Sequence, residues 1–358
     1  MPPSPVVLAV FEWDTPSPLS SAHQSELTAS GIHPELQRLN FYTLSDRDPY
    51  DHLLYSDDLS RRNDGRLTDH WLRLYNHLDA GGWWCAGLDP RTDWQPMEWG
   101  CFKPDNPRSD HSERAKIIKY EHPPKLPTRV FCLRVPASVW RFVAVRYGVS
   151  LPNGLDCHDP SQFWRWVSAH RLPIILCEGA KKAAALLSHG YVAIGLPGIF
   201  AGVRTVRDES GQVLERHLIP ELQPFVDQGL SFTICFDYET KPHVLDHLRC
   251  SIRLLARLLL QQHCPVKLIH LPGPEKGVDD LLAHRSPAVF AACYRHATQL
   301  SLCQLASGLS LVVAAPVATS LFDQSAYRQL LGLTHNDAAT APRAVSYTHL
   351  TLPTNREV

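Results

Sequence analysis

A short apolar run that ends in Glu178 and Gly179 constrains the fold of this chain more than any other feature. The run, Ile174–Cys177, has the length and composition of a buried strand, and the Ala- and Leu-rich stretch that follows Gly179 favours a helix. In open α/β sheets, ligands bind beyond the carboxyl ends of the strands. The pattern therefore predicts an α/β fold with the Glu178 carboxylate at the functional edge of a sheet.

The same arrangement of an apolar run followed by acidic residues occurs twice more. The run Phe232–Phe236 precedes Asp237 and Glu239, and the run Val266–Leu271 precedes Asp279. Parallel strands joined by right-handed crossovers would bring these carboxylates to one edge of the sheet. Crowded carboxylates repel one another unless a cation lies between them, and such oxygen ligands suit Mg²⁺ or Mn²⁺. The predicted metal ligands are Glu178, Asp237, Glu239 and Asp279.

The segments between these strands have the features of crossover helices. Helices are predicted over 180–188, 220–228 and 244–263, and a further strand over 192–194. Gly190 and Gly229 lie where the first two helices would end. A turn at residues 208–211, between short segments at 203–206 and 213–218, predicts a hairpin inserted on the sheet.

A Glu-Gly pair after one strand and an Asp-x-acid motif after a later strand resemble the Toprim domain of bacterial primases, topoisomerases and related nucleases. The resemblance implies that Glu178 works in the acid/base chemistry of phosphoryl transfer and that Asp237 and Glu239 hold a divalent metal. Glu178 and Asp237 are thus the predicted catalytic residues. Glu239 departs from the family pattern, which has Asp at that position.

Upstream motifs extend the resemblance to cyanobacterial plasmid replication proteins, in which a Toprim-like domain precedes a helicase-type ATPase. The motifs are Arg61–Arg66, Gly82–Cys85, Trp99–Pro104, the Lys119-Tyr120 pair and Glu178–Ala183. The resemblance implies a primase-like N-terminal α+β subdomain (26–150), a connecting helix (151–171) and a Toprim-like domain (172–300). The Pro- and Ser-rich start of the chain predicts a disordered arm (1–25), and the loss of periodicity after residue 300 predicts a linker with a truncated or artefactual tail (301–358). A helicase or ATPase module would then belong to the full-length protein.

Charge favours a nucleic-acid partner only locally. The chain has 35 Lys and Arg against 36 Asp and Glu, but residues 101–146 contain ten basic and four acidic residues. Six of the nine Trp lie between Trp71 and Trp140, and cations interleaved with aromatic rings are typical of a single-strand groove. The alternative is that the Trp side chains form core and the cations are solvated. The predicted nucleic-acid contacts are Lys103, Arg108, Lys116, Lys119, Lys181 and Lys182, with single-stranded DNA and nucleotides as partners.

The cysteines and the hydropathy pattern argue against a zinc-binding, disulfide-rich or membrane-spanning protein. None of the ten cysteines forms a Cys-x-x-Cys pair, and Cys177 lies in a strand-like run where a thiol behaves as a small apolar group. No run of 18 apolar residues is present to cross a membrane, and residues 6–11 are too short for the apolar core of a signal peptide. We therefore expect a cytoplasmic protein.

Three functions remain open. Primase-like nucleotidyl transfer and Toprim-type strand cleavage would both use these carboxylates. A non-catalytic DNA-binding or scaffolding module of a replication initiator would not need them for catalysis. The sequence therefore leaves open whether the chain is an enzyme. The segment from Asp237 to Thr240 also resembles the Asp-x-Asp-x-Thr motif of haloacid dehalogenase phosphatases, but its Thr falls one position early.

Residues 345–355 resemble translated sequencing adaptor, so we expect the natural protein to continue further.

Overall fold

A three-stranded antiparallel sheet organises the first part of the chain. The computed structural model describes residues 18–110, 116–152 and 159–306. The strands are β1 (Phe41–Leu44), β2 (Gly82–Asp89) and β3 (Gln95–Pro104), in the order β1-β2-β3. The helices around them are α1 (Ser21–Ala29), α2 (Pro34–Asn40), α3 (Asp48–Leu53) and α4 (Asp69–Leu74), with a 3₁₀ turn at Asn76–Ala80. Because side chains alternate along a strand, Trp83 and Trp84 enter two different hydrophobic clusters.

Helix α1 corrects the predicted boundary of the disordered arm. Its first residue, Ser21, lies inside the 1–25 segment that the sequence predicts to be disordered. The Ser20 side chain accepts the N–H of His23, which caps the helix, and the Ser20 N–H donates to Thr43 Oγ1 at 2.8 Å. Residues 21–25 are therefore helical, and residues 1–17 lie outside the described part of the chain.

Two helices connect the small sheet to the larger one. They are α5 (Ala137–Tyr147) and α6 (Gln162–Ala169). Gly148 ends α5 in the left-handed conformation that favours glycine. Trp140 of α5 packs edge-on against Phe163 and Trp166 of α6, so aromatic contacts hold the two helices together.

A mostly parallel five-stranded sheet, ordered β10-β9-β8-β4-β5, forms the centre of the second half. Its strands are β4 (Ile174–Glu178), β5 (Ala193–Leu196), β8 (Phe232–Cys235), β9 (Val266–Leu268) and β10 (Thr298–Gln299). Strands β5, β4, β8 and β9 are parallel, and β10 pairs antiparallel with β9. The accompanying helices are α7 (Ala180–Ser188), α8 (Gln223–Val226), α9 (Pro242–Gln261), α10 (Val278–His284), α11 (Pro287–Arg295) and α12 (Leu302–Ala306), with a 3₁₀ turn at Pro220–Leu222. The predicted α/β class, with a mostly parallel sheet flanked by helices, is confirmed.

The predicted hairpin is present, but it forms its own sheet. Strands β6 (Val203–Arg207) and β7 (Val213–Leu218) pair only with each other, antiparallel, in a two-stranded sheet of the described structure. Strand β9 is shorter than the predicted run 266–271, because Pro272 and Gly273 follow it and turn the chain away.

One buried segment joins the two larger sheets. Residues 130–133 are fully buried, and the Phe131 N–H donates to Gly195 O of β5 at 2.8 Å. On the other side, the Leu88 N–H of β2 donates to Cys132 O at 2.8 Å. The larger hydrophobic core therefore extends without interruption from the small sheet to the parallel one.

Three further findings concern the chain as a whole. In the described segments, no helix is long and apolar enough to span a bilayer. Most of the described cysteines, including Cys177 and Cys235, are buried free thiols, whereas Cys250 and Cys303 are exposed. The predicted tail, including the adaptor-like residues 345–355, lies outside the described residues.

Candidate functional site

Glu178 and Asp237 lie side by side at the edge of the parallel sheet. Strands β4 and β8 are parallel neighbours with Cys177 opposite Cys235, so the residues that follow them emerge together. The Asp237 N–H donates to Glu178 Oε1 at 3.3 Å. Gly179 follows with a φ of +84°, a conformation that side chains disfavour, and this lets the chain turn directly into α7.

Lys182 neutralises this pair of carboxylates from the first turns of α7. Its Nζ lies 2.9 Å from Asp237 Oδ1 and 3.1 Å from Oδ2. Burial alone would lower the pKa of Lys182, but the carboxylates of Asp237, Asp279 and Glu178 outweigh burial and raise it. The lysine is therefore a permanent cation within the acidic cluster.

Asp279 brings a third carboxylate to the cluster from the first turn of α10. Its side chain is 5% exposed, and Lys181 Nζ lies 3.6 Å from its Oδ2. The other oxygen, Oδ1, has no hydrogen-bond partner among the described residues. Asp279 and Lys182 also approach Gly277 closely, because a Cβ on Gly277 would lie 2.3 Å from Asp279 Oδ1 and 2.7 Å from Lys182 Cε. We call Glu178, Asp237, Asp279, Lys181 and Lys182 the carboxylate–lysine cluster.

The two central carboxyl groups hold protons more strongly than exposed ones do. Burial raises the pKa of Glu178, the charge of Asp237 raises it further, and Lys182 acts in the opposite direction. Burial likewise raises the pKa of Asp237 against the effect of Lys182. Glu178 is consequently suited to exchange a proton closer to neutral pH than an ordinary glutamate.

The N-terminal part supplies residues that sequence reasoning missed. Glu26 of α1 accepts a hydrogen bond from Lys103 Nζ at 2.6 Å and lies 3.7 Å from Lys181 Nζ. A cavity of about 80 Å³ is lined by Tyr120 from the region of the small sheet and by Glu178 from the parallel sheet. Burial raises the pKa of Tyr120. No sequence motif distinguishes Glu26 from the acidic residues that are common on solvated surfaces.

Glu239 occupies a different environment from the other predicted ligands. Its Oε1 accepts the backbone N–H groups of Thr240 and Lys241 at 2.9 and 3.0 Å. These hydrogen bonds lower the pKa of Glu239. Its carboxylate therefore caps a turn before α9, whereas Asp237 is paired with Lys182.

The predicted nucleic-acid contacts divide into three groups. Lys103, Lys181 and Lys182 lie at or beside the carboxylate–lysine cluster. Lys116 and Lys119 are exposed. Arg108 is committed to structure, because it forms two hydrogen bonds with the buried Glu121 at 2.6 and 3.1 Å.

Five of the six tryptophans of the predicted groove belong to the core, and Trp71 is partly buried against the smaller cluster. Trp83, Trp84 and Trp99 are at most 3% exposed. Trp83 packs in the larger core, and Trp84 packs in the smaller one. Of the two interpretations that the sequence left open, the structure therefore shows core tryptophans rather than stacking platforms for bases.

The carboxylate–lysine cluster does not fit a divalent metal in the arrangement described. Across residues 18–110, 116–152 and 159–306, no group of three or more His, Cys, Asp or Glu side chains has a geometry that could hold a metal ion. The Lys182 ammonium contacts both oxygens of Asp237. A metal ion would therefore have to displace Lys182 before Asp237 could ligate it.

The family and sequence comparisons cover the region of this cluster. Residues 163–289 match the model of a family described as a domain of unknown function, DUF3854, and this segment contains Glu178, Asp237 and Asp279. The chain is also 42% identical over 292 residues to an uncharacterized protein of Picosynechococcus sp. strain PCC 7002. This match covers 80% of the chain and 28% of the relative, so the chain spans less than a third of that protein's length.

Solved primase structures show low similarity to the chain. The zinc-binding and RNA polymerase domains of the Aquifex aeolicus primase align with a TM-score of 0.45 and 13% identity, covering 78% of this chain and 57% of that one. A DnaG primase catalytic domain bound to single-stranded DNA aligns with a TM-score of 0.43 and 12% identity, covering 82% of this chain and 79% of that one. At TM-scores below 0.5, these superpositions are not evidence of a shared function.

Proposed function

We propose that this chain is a Toprim-type, primase-like nucleic-acid enzyme that synthesises primers by nucleotidyl transfer at the carboxylate–lysine cluster. The observation that carries the proposal is the placement of Glu178 beside Asp237 at the carboxyl ends of neighbouring parallel strands. This is the edge at which open α/β sheets bind ligands. The order of Glu-Gly and Asp-x-acid along the chain also resembles the Toprim pattern.

The residues of the cluster supply the elements that nucleotidyl transfer needs. The oxygen of a primer 3′-hydroxyl attacks the α-phosphorus of a nucleoside triphosphate, a new P–O bond forms, and pyrophosphate leaves. Glu178, whose pKa is raised by burial and by Asp237, accepts the hydroxyl proton. Lys181 and Lys182 pair with Asp279 and Asp237 in the free protein, and their ammonium groups would turn toward the phosphates to neutralise negative charge during the reaction.

A divalent cation is the cofactor that the Toprim resemblance implies. In this chain Mg²⁺ or Mn²⁺ would compete with Lys182 for Asp237, because the ammonium already contacts both of its oxygens. The wider assignment to plasmid replication, with a helicase module elsewhere in a longer protein, rests on the resemblance in sequence motifs and belongs to the same proposal.

Primer synthesis by the full chain tests the proposed function. The protein is incubated with single-stranded DNA, ribonucleotides and Mn²⁺, and the products are separated on a denaturing gel. Glu178→Gln keeps the size of the side chain and its hydrogen bond to the Asp237 N–H but removes the base. We expect this variant to lose product by a factor of about 10² to 10⁴, the range of general-base contributions.

Glu239→Gln is the matched control, because it makes the same chemical change in a carboxylate that caps a turn outside the cluster. Its activity should remain close to that of the wild type. Equal activity of the Glu178→Gln variant and the wild type would contradict the proposal. Nicked DNA without primers would instead assign a Toprim nuclease.

One observation favours a second candidate, a non-catalytic DNA-binding module of a replication initiator. Lys182 forms an ion pair with Asp237 within the protein. An inactive cluster would need such a pair, because buried carboxylates without a metal require another cation. DNA that is bound but left unchanged by both the wild type and Glu178→Gln would support this function.

A further inference from the structure

A positively charged surface lies outside the carboxylate–lysine cluster. A groove of about 1170 Å³ runs between the β6–β7 hairpin and α9, and α12 forms a third wall. We call it the arginine groove. Its cationic lining residues are Arg207 and Arg216 of the hairpin and Arg249, Arg253 and Arg257 of α9.

The charge of this groove is strongly one-sided. The lining contains five arginines and a single carboxylate, Asp246, an excess of four positive charges among the described residues. Asp246 offsets part of that charge by pairing with Arg249 at 3.2 Å. Glu215 of β7 pairs with Val206 and lies on the other face of the hairpin from Arg216, because side chains alternate along a strand.

The arginines of α9 form a regular row. Arg249, Arg253 and Arg257 are four residues apart, so they lie on one face of the helix with successive Cα positions about 6 Å apart along its axis. The neighbouring face of α9 is buried through Ile252, Leu255, Ala256 and Leu259, so the arginines lie beside the buried stripe. An evenly spaced row of guanidinium groups suits an evenly spaced row of phosphates, which guanidinium groups bind in a bidentate manner.

An exposed aromatic ring completes the groove. Phe200, which follows β5, is 45% exposed and lines the same surface as the arginines. Proteins that bind single-stranded nucleic acids combine aromatic rings with cations, because unpaired bases stack on the rings while the cations bind the phosphate backbone. An acidic protein segment would need the cations but not the ring.

Arg249 lies between the arginine groove and Asp237 of the carboxylate–lysine cluster. This residue also lines a small recess of about 70 Å³ that Asp237 and Glu239 border. A strand that lies along α9 would therefore reach the sheet edge at Asp237. Arg249 is therefore the residue of the arginine row from which a bound strand would pass to the site of the proposed chemistry.

We propose that the arginine groove binds the backbone of single-stranded nucleic acid and leads it along α9 to the carboxylate–lysine cluster. This inference extends the proposed function by assigning the path of its nucleic-acid substrate. The strand lies with its phosphates on the row of α9 arginines and one base against Phe200.

Fluorescence anisotropy of a labelled oligo(dT) with the full chain tests the inference across a series of salt concentrations. The groove variant is Arg249→Gln/Arg253→Gln/Arg257→Gln. We expect its affinity at 0.1 M salt to fall on the order of 10- to 100-fold, and the slope of log K against log salt to decrease by about 2, since each single-strand phosphate contact contributes about 0.7.

The control variant Arg38→Gln/Arg47→Gln/Arg73→Gln removes the same charge from exposed positions in α2, just before α3 and in α4. It should keep the affinity and the slope of the wild type. Circular dichroism checks that both variants are folded. Unchanged DNA binding by the groove variant, equal losses in both variants, or no binding by the wild type would overturn the inference.

Two further measurements separate this inference from the proposed function. If a poly-glutamate peptide binds the wild type and loses affinity in the groove variant while DNA binding does not change, the groove is a site for acidic proteins and the inference fails. If the groove variant loses DNA affinity while no primers form with any variant, the inference stands and the proposed function fails. If primer synthesis depends on Glu178 but not on the arginines, the proposed function stands and the inference about the groove fails.

Discussion

At the residue scale, the most informative contact is that between Lys182 and Asp237. Removal of the ammonium would leave Asp237, Asp279 and Glu178 as a buried group of like charges, a situation that proteins relieve by binding protons or cations. The lysine therefore determines whether this cluster needs a metal. Since it reaches both oxygens of Asp237, it also blocks the lone pairs that a metal would use.

Replacement of Lys182 should convert the cluster into a metal site. We expect Lys182→Met to bind Mn²⁺ at least about tenfold more tightly than the wild type, because a positive charge within about 4 Å of the ion contributes more than 1 kcal/mol of repulsion in a partly buried site. Isothermal titration calorimetry measures both affinities.

The control for this experiment is Lys119→Met, which removes an exposed cation and should leave Mn²⁺ binding unchanged. Adding Asp237→Asn to the Lys182→Met variant should abolish the new affinity. Tight binding of Mn²⁺ by the wild type would show that Lys182 moves aside readily and would contradict this account.

At the element scale, three connections bring the cluster together. The β4–α7 turn supplies Glu178 and the lysines, the segment after β8 supplies Asp237, and the start of α10 supplies Asp279. The Tyr238 N–H donates to Lys276 O at 2.8 Å, which ties the segment after β8 to the segment before α10. The cluster is therefore held by backbone contacts as well as by charge.

Gly277 allows α10 to approach α7, and a methyl group there should disturb this contact. Its φ of −100° is compatible with any residue, so the effect of Gly277→Ala is steric: the Cβ would lie 2.3 Å from Asp279 Oδ1. We expect a loss of about 1–3 kcal/mol in the free energy of unfolding, measured by urea denaturation. Gly198→Ala, where no atom lies within 4 Å of the new Cβ, should change stability by less than about 0.5 kcal/mol. Equal stability of the two variants would contradict the steric explanation.

The elements of the parallel sheet were predictable because each has a local signal. Apolar runs followed by acidic residues predicted β4 and β8, and the Ala- and Leu-rich stretch after Gly179 predicted α7. The parallel order of the strands then placed Glu178 near Asp237. The position of α1 was not predictable in this way, because the Ser- and Pro-rich start of the chain resembles a disordered arm and the cap contact of Ser20 with Thr43 is long-range. The same reason hides Glu26, whose partners Lys103 and Lys181 are distant in sequence.

At the scale of the whole molecule, residues 130–133 make the small sheet and the parallel sheet part of one core. Because this segment hydrogen-bonds to β2 on one side and to β5 on the other, neither sheet can lose its packing without exposing the other. The row of arginines on α9 was present in the sequence, but only the position of the β6–β7 hairpin shows that the row lines a groove. Local patterns thus predict elements, whereas surfaces shared between elements require their packing.

A substitution in this shared segment should destabilise the protein as a unit. Phe131 is fully buried, and Phe131→Ala should cost about 3–5 kcal/mol while unfolding remains a single transition. Chemical denaturation followed by both far-ultraviolet circular dichroism and tryptophan fluorescence measures this. Phe200→Ala, at an exposed ring, should alter stability by less than about 0.5 kcal/mol. Two separated transitions in the wild type would show that the sheets unfold independently.

Cys250 gives this chain a built-in attachment point for a spectroscopic probe. It lies on α9 between Arg249 and Arg253 and lines the arginine groove, and Cys303 is the other exposed thiol in the described segments. Burial raises the pKa of the thiols of Cys177 and Cys235, so a maleimide reagent at neutral pH should react with them far more slowly. After replacement by serine of Cys303 and of Cys157, which lies outside the described residues, a dye at Cys250 would report occupancy of the groove in real time.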